Sequence, residues 1–332
     1  LKGTPDNPLP DAIIPTTATG LWFWPSGGYV DSSVSPSVVR IVSLRLRFLP
    51  RTCGSQFCSS SPPTCPAGET CNPDNNLCNS SPAICDQDSD CPLQGETCQP
   101  GAGWNWAGDG MSIITLSLPD LTVTSIVPTP ADAAGVAIGF GTVVLRNGSY
   151  VYLYGGNAAG QFVARAPANN LTGGVWRYWA GGTTWSTNPA LAQPMVEAAD
   201  SPDIALGLPG LDVVKYGSGY LATGKIGAFF GLFESNLNAW YSKQPYGPWH
   251  EVTQNGVAQQ IVPTLSLPGD RLFYGGRLLM DAPGSSSAAP IVVFSTNDND
   301  PTSDSVMLYG PQFVAPVGLP TPAQLAAQYP NG

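Results

Sequence analysis

Apolar and polar residues alternate along the segment VVRIVSLRLRFLP, residues 38–50. One face collects every second residue, namely Arg40, Val42, Leu44, Leu46 and Phe48, and the other face carries Val39, Ile41, Ser43, Arg45 and Arg47. A period of two is that of a β-strand, in which successive side chains point to opposite faces of the sheet. We therefore predict a strand here and expect it to be the first full strand of the main domain.

Similar short runs continue as far as residue 310, and turn residues separate them about every ten positions. They predict strands at residues 111–118, 141–146, 149–155, 161–166, 175–180, 211–217, 219–224, 228–233, 238–243, 258–265, 271–276, 290–296 and 305–310. The Asn-Gly step between Arg146 and Ser149 predicts a hairpin, because it supplies the positive φ angles of a type I′ turn. About fourteen short strands indicate a propeller or a large sandwich, and a single helical turn is expected only in the tail LPTPAQLAAQYP.

The composition supports an all-β fold, because 38 Gly and 34 Pro interrupt the chain too often for long helices. Charged residues make up 11% of the chain, against about 25% in typical soluble proteins. A surface with so few charges must consist largely of Ser, Thr, Asn, Gln and Gly. Such a surface is typical of secreted or cell-surface proteins that carry glycans or pack against neighbours. The formal net charge of −10 argues against nucleic acids and anionic membranes as partners, and no apolar run is long enough to span a membrane.

The cysteines form a cluster within one short segment, which predicts disulfide bonds in an oxidising compartment. Zinc is the alternative, but the spacings differ from the paired C-x-x-C of zinc ribbons, and His250 is the only histidine. CPAGETC at 65–71 returns as CPLQGETC at 91–98, which indicates two small modules in tandem. The sequence leaves open how the eight residues pair: Cys53, Cys58, Cys65, Cys71, Cys78, Cys85, Cys91 and Cys98.

The chain divides by pattern into four parts: an extended N-terminal arm at 1–20, a β-domain at 21–310, the disulfide-rich insert at 53–98 within it, and a tail at 311–332. The arm contains four prolines, and we expect it to dock either on its own domain or on another subunit. The start at Leu1 without an initiator Met fits a processed, secreted protein. Asp86, Asp88 and Asp90 alternate like the start of a calcium loop, but a solvated acidic turn is the alternative, and we predict no cofactor and no metal.

Several motifs occur in an order that resembles one family of secreted proteins. They are Trp24-Pro25-Ser26-Gly27-Gly28, Tyr152-Leu153-Tyr154-Gly155 with Val163-Ala164-Arg165, Trp176-Arg177-Tyr178-Trp179 with Gly181 and Trp185, Ser242 with Gly247-Pro248-Trp249, and Val293-Phe294-Ser295-Thr296-Asn297. Together they resemble a family of five-bladed β-propellers, mostly uncharacterised, that includes bacterial endo-D-arabinanases. The resemblance implies a five-bladed propeller over residues 21–310 with a central pocket. In active members, that pocket holds the carboxylates that hydrolyse a furanoside.

The chain departs from this family at two positions. Relatives commonly carry an Asp in the Trp-Pro motif, where this chain has Ser26, and the segment before the last blade reads Gly276-Arg277-Leu278-Leu279-Met280-Asp281, with no acid or histidine at its start. Glycoside hydrolysis needs two carboxyl groups, one protonated and one ionised. The remaining candidates are Asp31, Asp109, Asp203 and Glu234, and for each of them a solvated carboxylate at a turn or strand end is the alternative.

The segment from Val151 to Trp185 holds arginines and aromatic residues but no acid, so it could contact a sugar without cleaving it. The candidates for stacking on glycans are Trp24, Trp176, Tyr178, Trp179 and Trp185, and packing in the core is the alternative for each. Three N-x-S/T sequons occur at Asn79, Asn147 and Asn170. Asn147 is favoured among them, because a turn would project its glycan outwards.

Two functions remain open from the sequence. The first is a non-catalytic extracellular propeller, a structural or adhesive subunit of a filament or cell-surface assembly that self-associates through its arm, binds other subunits or binds glycans. The second is a secreted endo-acting glycoside hydrolase on an arabinan-type polysaccharide. The missing acids favour the first function, so we predict a non-catalytic chain, and the fold resemblance makes the hydrolase the alternative.

Overall fold

The structure is a computed structural model that describes most of the β-domain. The described residues are 21–48, 106–157, 159–173, 175–197, 212–226, 236–262, 271–280, 290–298 and 310–330, together with five short strands of the cysteine-rich insert. The predicted arm at 1–20 and the side chains of the insert, with its eight cysteines and three alternating aspartates, lie outside the described residues.

The chain forms two compact units. One comprises Leu1–Trp24 and Leu44–Gly110, and the other comprises Pro25–Ser43 and Met111–Gly332. The second unit is a β-propeller built from antiparallel sheets, so the predicted all-β propeller fold is confirmed. In the part of the chain that the structure describes, four sheets form blades, where the sequence predicted five.

The first blade has the order β1-β2-β8-β9, and the insert lies between its second and third strands. Its strands are β1 (Leu21–Asp31), β2 (Val38–Phe48), β8 (Trp106–Ser117) and β9 (Val123–Pro128). The insert contributes β3 (Thr52–Gly54), β4 (Gln56–Phe57), β5 (Thr70–Cys71), β6 (Leu77–Asn79) and β7 (Thr97–Gln99). In the insert, register places Cys53 opposite Cys98 and Cys71 opposite Cys78.

The second blade follows a one-turn helix, α1 (Pro130–Ala133), whose N-cap is Thr129. It comprises β10 (Val143–Asn147), β11 (Tyr150–Asn157), β12 (Gly160–Pro167), β13 (Arg177–Trp179) and β14 (Trp185–Ser186). A 3₁₀ helix follows at Pro189–Leu191, and the next strand, β15 (Val196–Glu197), pairs with β12. Gly148 has φ 60° and forms a two-residue loop with Ser149. The predicted type I′ turn is therefore wrong, because that turn needs positive φ at both central residues, and Asn147 ends β10 instead.

The third blade comprises β16 (Asp212–Tyr216), β17 (Gly219–Ile226), β18 (Asn236–Ser242) and β19 (His250–Glu251), and β22 (Gln260–Val262) pairs with β18. Beside it lies the hairpin β20 (Thr253–Gln254) and β21 (Val257–Ala258). The fourth blade comprises β23 (Arg271–Leu279), β24 (Ile291–Asp298) and β25 (Gly310–Val314). The predicted strand at 228–233 lies outside the described residues.

The tail carries α2 (Pro322–Gln328), which confirms the predicted helical turn. Thr321 caps this helix through a capping box with Gln324. Leu325 is fully buried among residues of the third blade, including Tyr216 and Tyr241. The tail thus leaves the fourth blade and packs on the third.

One buried hydrophobic cluster lies between the second and third blades. Its buried core comprises Val143, Tyr152, Tyr154, Val163, Val213, Tyr220, Ala222 and Trp240. The Tyr154 hydroxyl donates to the carbonyl of Pro245 at 2.6 Å, and the Asn147 side chain donates to the Tyr220 hydroxyl at 2.8 Å. These two hydrogen bonds therefore join the second and third blades at both ends of their shared core.

Candidate functional site

One arginine of the fourth blade, Arg277, contacts each of the other three described blades in or beside its first strand. Arg277 lies in β23, and its guanidinium donates to the carbonyl of Ser26 in β1 at 2.9 Å and to the carbonyl of Thr142, just before β10, at 3.1 Å. The same guanidinium forms an ion pair at 3.6 Å with Asp212, the first residue of β16. Because each blade contributes a residue in or beside its first strand, we place this site at the centre of the propeller.

Asp212 is the buried carboxyl group of this site. Its Oδ1 accepts from its neighbour Val213 N at 3.0 Å, and its Oδ2 accepts from Leu278 N at 2.6 Å. Burial raises the pKa of Asp212 above its ordinary value, although Arg277 and the two backbone donors act in the opposite direction. A carboxyl group whose pKa is raised in this way can hold a proton at a higher pH than an exposed aspartate.

A glycine in β1 allows the first and second blades to approach each other beside Arg277. A Cβ at Gly27 would lie 2.9 Å from the backbone nitrogen of Val144 in β10, so a larger residue would force the two strands apart. Ser26 immediately precedes this contact, which holds its carbonyl within reach of Arg277. The Trp-Pro-Ser-Gly-Gly motif therefore contributes backbone to the site, in place of the acid that the resemblance implied.

Two of the four acids predicted from the sequence, Asp31 and Asp109, are described by the structure, and both form contacts away from this site. Asp31 is buried, accepts from Ser33 and pairs with Arg40 at 3.4 Å, while Arg40 also donates to Thr115 at 2.7 Å. Burial acts to raise the pKa of Asp31, but the hydrogen bonds from Ser33 and the pair with Arg40 outweigh it and hold that pKa below its ordinary value. Asp31 is therefore an ionised residue within the first blade.

Asp109 is half-exposed and pairs with Arg45 at 3.4 Å and Arg47 at 3.9 Å. It belongs to the first compact unit, whereas Asp212 and Arg277 belong to the second. Asp203 and Glu234 lie outside the described residues. Both candidate acids that the structure describes, Asp31 and Asp109, form ion pairs with arginines.

The predicted aromatic candidates divide into buried and accessible rings. Trp176 and Tyr178 are each 1% exposed, and Trp176 Nε1 donates to the carbonyl of Leu171, so neither ring offers a face to a sugar. Trp24 is 42% exposed, and Trp179 and Trp185 are partly buried. The accessible candidates are therefore these last three.

The sequons differ in how their side chains are used. The amide of Asn147 donates to Tyr220, so a glycan at this position would have to displace a contact between two blades. Asn170 is exposed in the segment that follows β12, and its side chain lies over Gly173. The side chain of Asn79 lies outside the described residues. The structure thus gives Asn170, rather than Asn147, the geometry of an accessible acceptor.

Sequence reasoning missed Asp212 and noticed Arg277 only as a departure from the family pattern. Asp212 opens an apolar strand, DVVKY, which predicts a strand and nothing more. His250, the sole histidine, stacks on Tyr329 with ring centroids 5.3 Å apart, which is a packing role. Among the described residues, no group of three or more His, Cys, Asp or Glu side chains could hold a metal ion, and none of their helices is long and apolar enough to cross a membrane.

A protein-family model described as a domain of unknown function, DUF5005, matches residues 82–272, which is more than half of the chain. The chain belongs to the DUF5005 family. The match covers the second and third blades and ends just after β23 begins, so it includes Asp212 and stops short of Arg277. No curated protein matches this DUF5005 chain.

Solved structures resemble the DUF5005 chain at low sequence identity. A protein from Bacteroides ovatus, provisionally described as a hydrolase, aligns with a TM-score of 0.50 and 16% identity over 94% of this chain, and this chain spans 64% of that protein. This likeness shows a shared fold. An endo-arabinase from Bacteroides thetaiotaomicron aligns with a TM-score of 0.29 and 18% identity, over 47% of this chain and 44% of that protein. The catalytic domain of an alpha-L-arabinofuranosidase from Coprinopsis cinerea aligns with a TM-score of 0.40 and 10% identity, over 63% of this chain and 66% of that domain.

Proposed function

We propose that the chain is an extracellular glycoside hydrolase whose central site uses Asp212 as its proton-holding carboxyl group. The observation that carries this proposal is the position of Asp212, a buried carboxyl group with a raised pKa that pairs with an arginine in contact with the other three described blades. Titratable groups whose pKa is shifted by burial and one specific partner concentrate at functional sites. The shared fold with a protein provisionally described as a hydrolase is consistent with this function.

The proposed reaction needs a second carboxylate, because one group must protonate the leaving oxygen while the other activates water. Asp212 would donate its proton as the glycosidic C–O bond breaks. The second carboxylate would take the proton of the attacking water, whose oxygen joins the anomeric carbon. We propose Asp203 or Glu234 for this role, and Arg277 as the residue that positions Asp212.

The test compares two buried aspartates that each pair with one arginine. Asp212→Asn should lower the release of oligosaccharides from an arabinan-type polysaccharide by about a hundredfold, since loss of an acid–base group costs this much or more. Asp31→Asn is the matched control, and its release of oligosaccharides should stay close to that of the unchanged chain, because Asp31 pairs with Arg40 within the first blade. Equal activity in Asp212→Asn and the unchanged chain would show that the proposal is wrong, and Asp203→Asn and Glu234→Gln would identify the second group.

A second function is favoured by one specific observation. Both oxygens of Asp212 already accept backbone hydrogen bonds, and Arg277 occupies the space between three blades as a cation. Such a saturated pair suits a structural centre. In that case the chain would be a non-catalytic extracellular subunit that self-associates or binds glycans. No oligosaccharide release by the unchanged chain, together with oligomers in sedimentation, would select this function.

We also propose disulfide pairs in the insert from strand register. Residues directly opposite in an antiparallel pair have Cα atoms about 4.5–5.5 Å apart, which lies within the range that a disulfide spans. Cys53 is opposite Cys98, and Cys71 is opposite Cys78. Peptide mapping of the non-reduced protein by mass spectrometry should find these two pairs. Recovery of either cysteine joined to a different partner would contradict the assignment.

A further inference from the structure

Two arginines lie directly opposite each other in the second blade. Register pairs Arg165 of β12 with Arg177 of β13, which places both side chains on the same face of the sheet. Like charges directly opposite each other are destabilising in a sheet. The chain has 23 acidic residues and only 13 Lys and Arg, yet neither arginine forms an ion pair within the described ranges. This local positive charge is unusual for such an acidic chain and requires an explanation.

Aromatic rings hold Arg165 in place. Its guanidinium carbon lies 4.1 Å from the centroid of Trp185 and 4.8 Å from that of Tyr150. The neighbouring Arg165 also lowers the pKa of the Tyr152 phenol, against the larger effect of burial, which raises it. The Nε of Arg165 is buried and has no hydrogen-bond partner in the described part of the chain. Cation–π contacts orient the guanidinium but leave its charge uncompensated.

The rest of this surface is accessible. Arg177 is exposed, Tyr150 is 37% exposed, and Trp185 is partly exposed. We call Tyr150, Arg165, Arg177 and Trp185 the arginine–aromatic patch. Tyr150 follows the β10–β11 turn, whereas Asp212 begins β16, so the patch lies toward the opposite end of the blades from the central site.

We propose that the arginine–aromatic patch binds an acidic polysaccharide, one whose sugar rings carry carboxylates. The planar guanidinium matches a carboxylate with two parallel hydrogen bonds, and two neighbouring arginines can hold one such group between them. A ring such as Trp185 or Tyr150 offers an apolar face to the sugar that carries the acid. The aromatic rings favour a sugar over a protein carboxylate, because a protein acid needs only the arginines. This site works independently of Asp212 and of any hydrolysis.

The experiment measures binding of an oligogalacturonate of defined length to the full chain by calorimetry, with a neutral arabino-oligosaccharide as the second probe. Arg177→Gln should weaken oligogalacturonate binding about tenfold or more, since a hydrogen bond to a charged group contributes at least this much. Binding of the neutral probe should not change. Arg146→Gln is the matched control, because Arg146 is an exposed arginine of the same blade that instead donates to Val30. Asp212→Asn should bind oligogalacturonate like the unchanged chain.

Three outcomes would overturn the proposal. The first is no oligogalacturonate binding by the unchanged chain, and the second is equal weakening by Arg146→Gln and Arg177→Gln, which would indicate general charge attraction. The third is an oligomeric chain that Arg177→Gln converts to monomer without any glycan binding. That result would identify a second copy of this acidic chain as the partner. Because Asp212 takes no part in this binding, loss of hydrolysis and loss of binding remain distinguishable.

Discussion

Arg277→Met should lower the free energy of unfolding by about 3–5 kcal/mol, because it leaves Asp212 buried without its cation. The substitution also removes the donors to the carbonyls of Ser26 and Thr142. Urea unfolding at neutral pH, followed by tryptophan fluorescence, measures the change. The double variant Asp212→Asn/Arg277→Met should recover part of the lost free energy of unfolding, because neither member of the pair then carries a charge.

The matched control for this measurement is Arg146→Met. Arg146 also donates to a backbone carbonyl of the first blade, at 2.9 Å, but it is exposed, and among the described residues it pairs with no buried acid. Its loss should change stability by no more than about 0.5–1 kcal/mol. If Arg277→Met were as stable as this control, or if the double variant were no more stable than Arg277→Met alone, Arg277 would not hold the blades together.

Leu325→Ala should cost about 3 kcal/mol of stability, within the range found when a buried leucine is truncated and a cavity remains. Leu325 is fully buried although it belongs to the tail, and it packs with Tyr216, Leu237 and Tyr241 of the third blade. The same unfolding experiment applies. Leu191→Ala is the control, since Leu191 is 58% exposed in a short 3₁₀ helix.

A loss in Leu325→Ala no larger than that in Leu191→Ala would mean that the tail is not part of the folded core. The neighbouring contacts argue against this result. Tyr329 donates to the carbonyl of Glu251 at 2.6 Å, and Tyr216 donates to the carbonyl of Pro320 at 3.1 Å. The helix is thus held at both of its ends.

Several strands could be predicted from the sequence. Strands β2, β11 and β12 lie within one or two residues of their predicted limits. Nearly every residue of β11 and β12 is buried, so their apolar runs, bounded by turn residues, carried the prediction. The strand β1 was missed, because Pro25, Gly27 and Gly28 interrupt its pattern and contacts with another blade hold it extended. Tertiary packing overrides local propensity at such positions.

The turns show the same limit. The Asn-Gly step at 147–148 predicted a type I′ turn that the structure does not have, because Asn147 pairs with Tyr150 in the strand ladder and the loop consists of Gly148 and Ser149. At Asn255-Gly256 both residues have positive φ, 56° and 77°, and they form the turn between β20 and β21. The Asn-Gly rule is therefore correct at residues 255–256 and wrong at residues 147–148.

The central site could not be predicted because its parts are distant in the sequence. Asp212 meets the backbone of Leu278 across 66 positions, and Arg277 meets Ser26 across 251. A single aspartate at the start of an apolar strand carries no local signal of such contacts. The departures from the family pattern at Ser26 and Arg277 fall on residues of this site, but only the folded structure shows their contacts with each other and with Asp212.

The path of the tail has a consequence for how the molecule opens. The chain leaves β25 of the fourth blade, and α2 and Tyr329 then pack on the third blade, where Tyr329 stacks on both Tyr241 and His250. The third blade cannot expose its outer strands until these contacts break, and breaking them also frees the end of the fourth. Amide hydrogens of both blades should therefore exchange through one shared opening, which makes the two blades a single cooperative unit of unfolding.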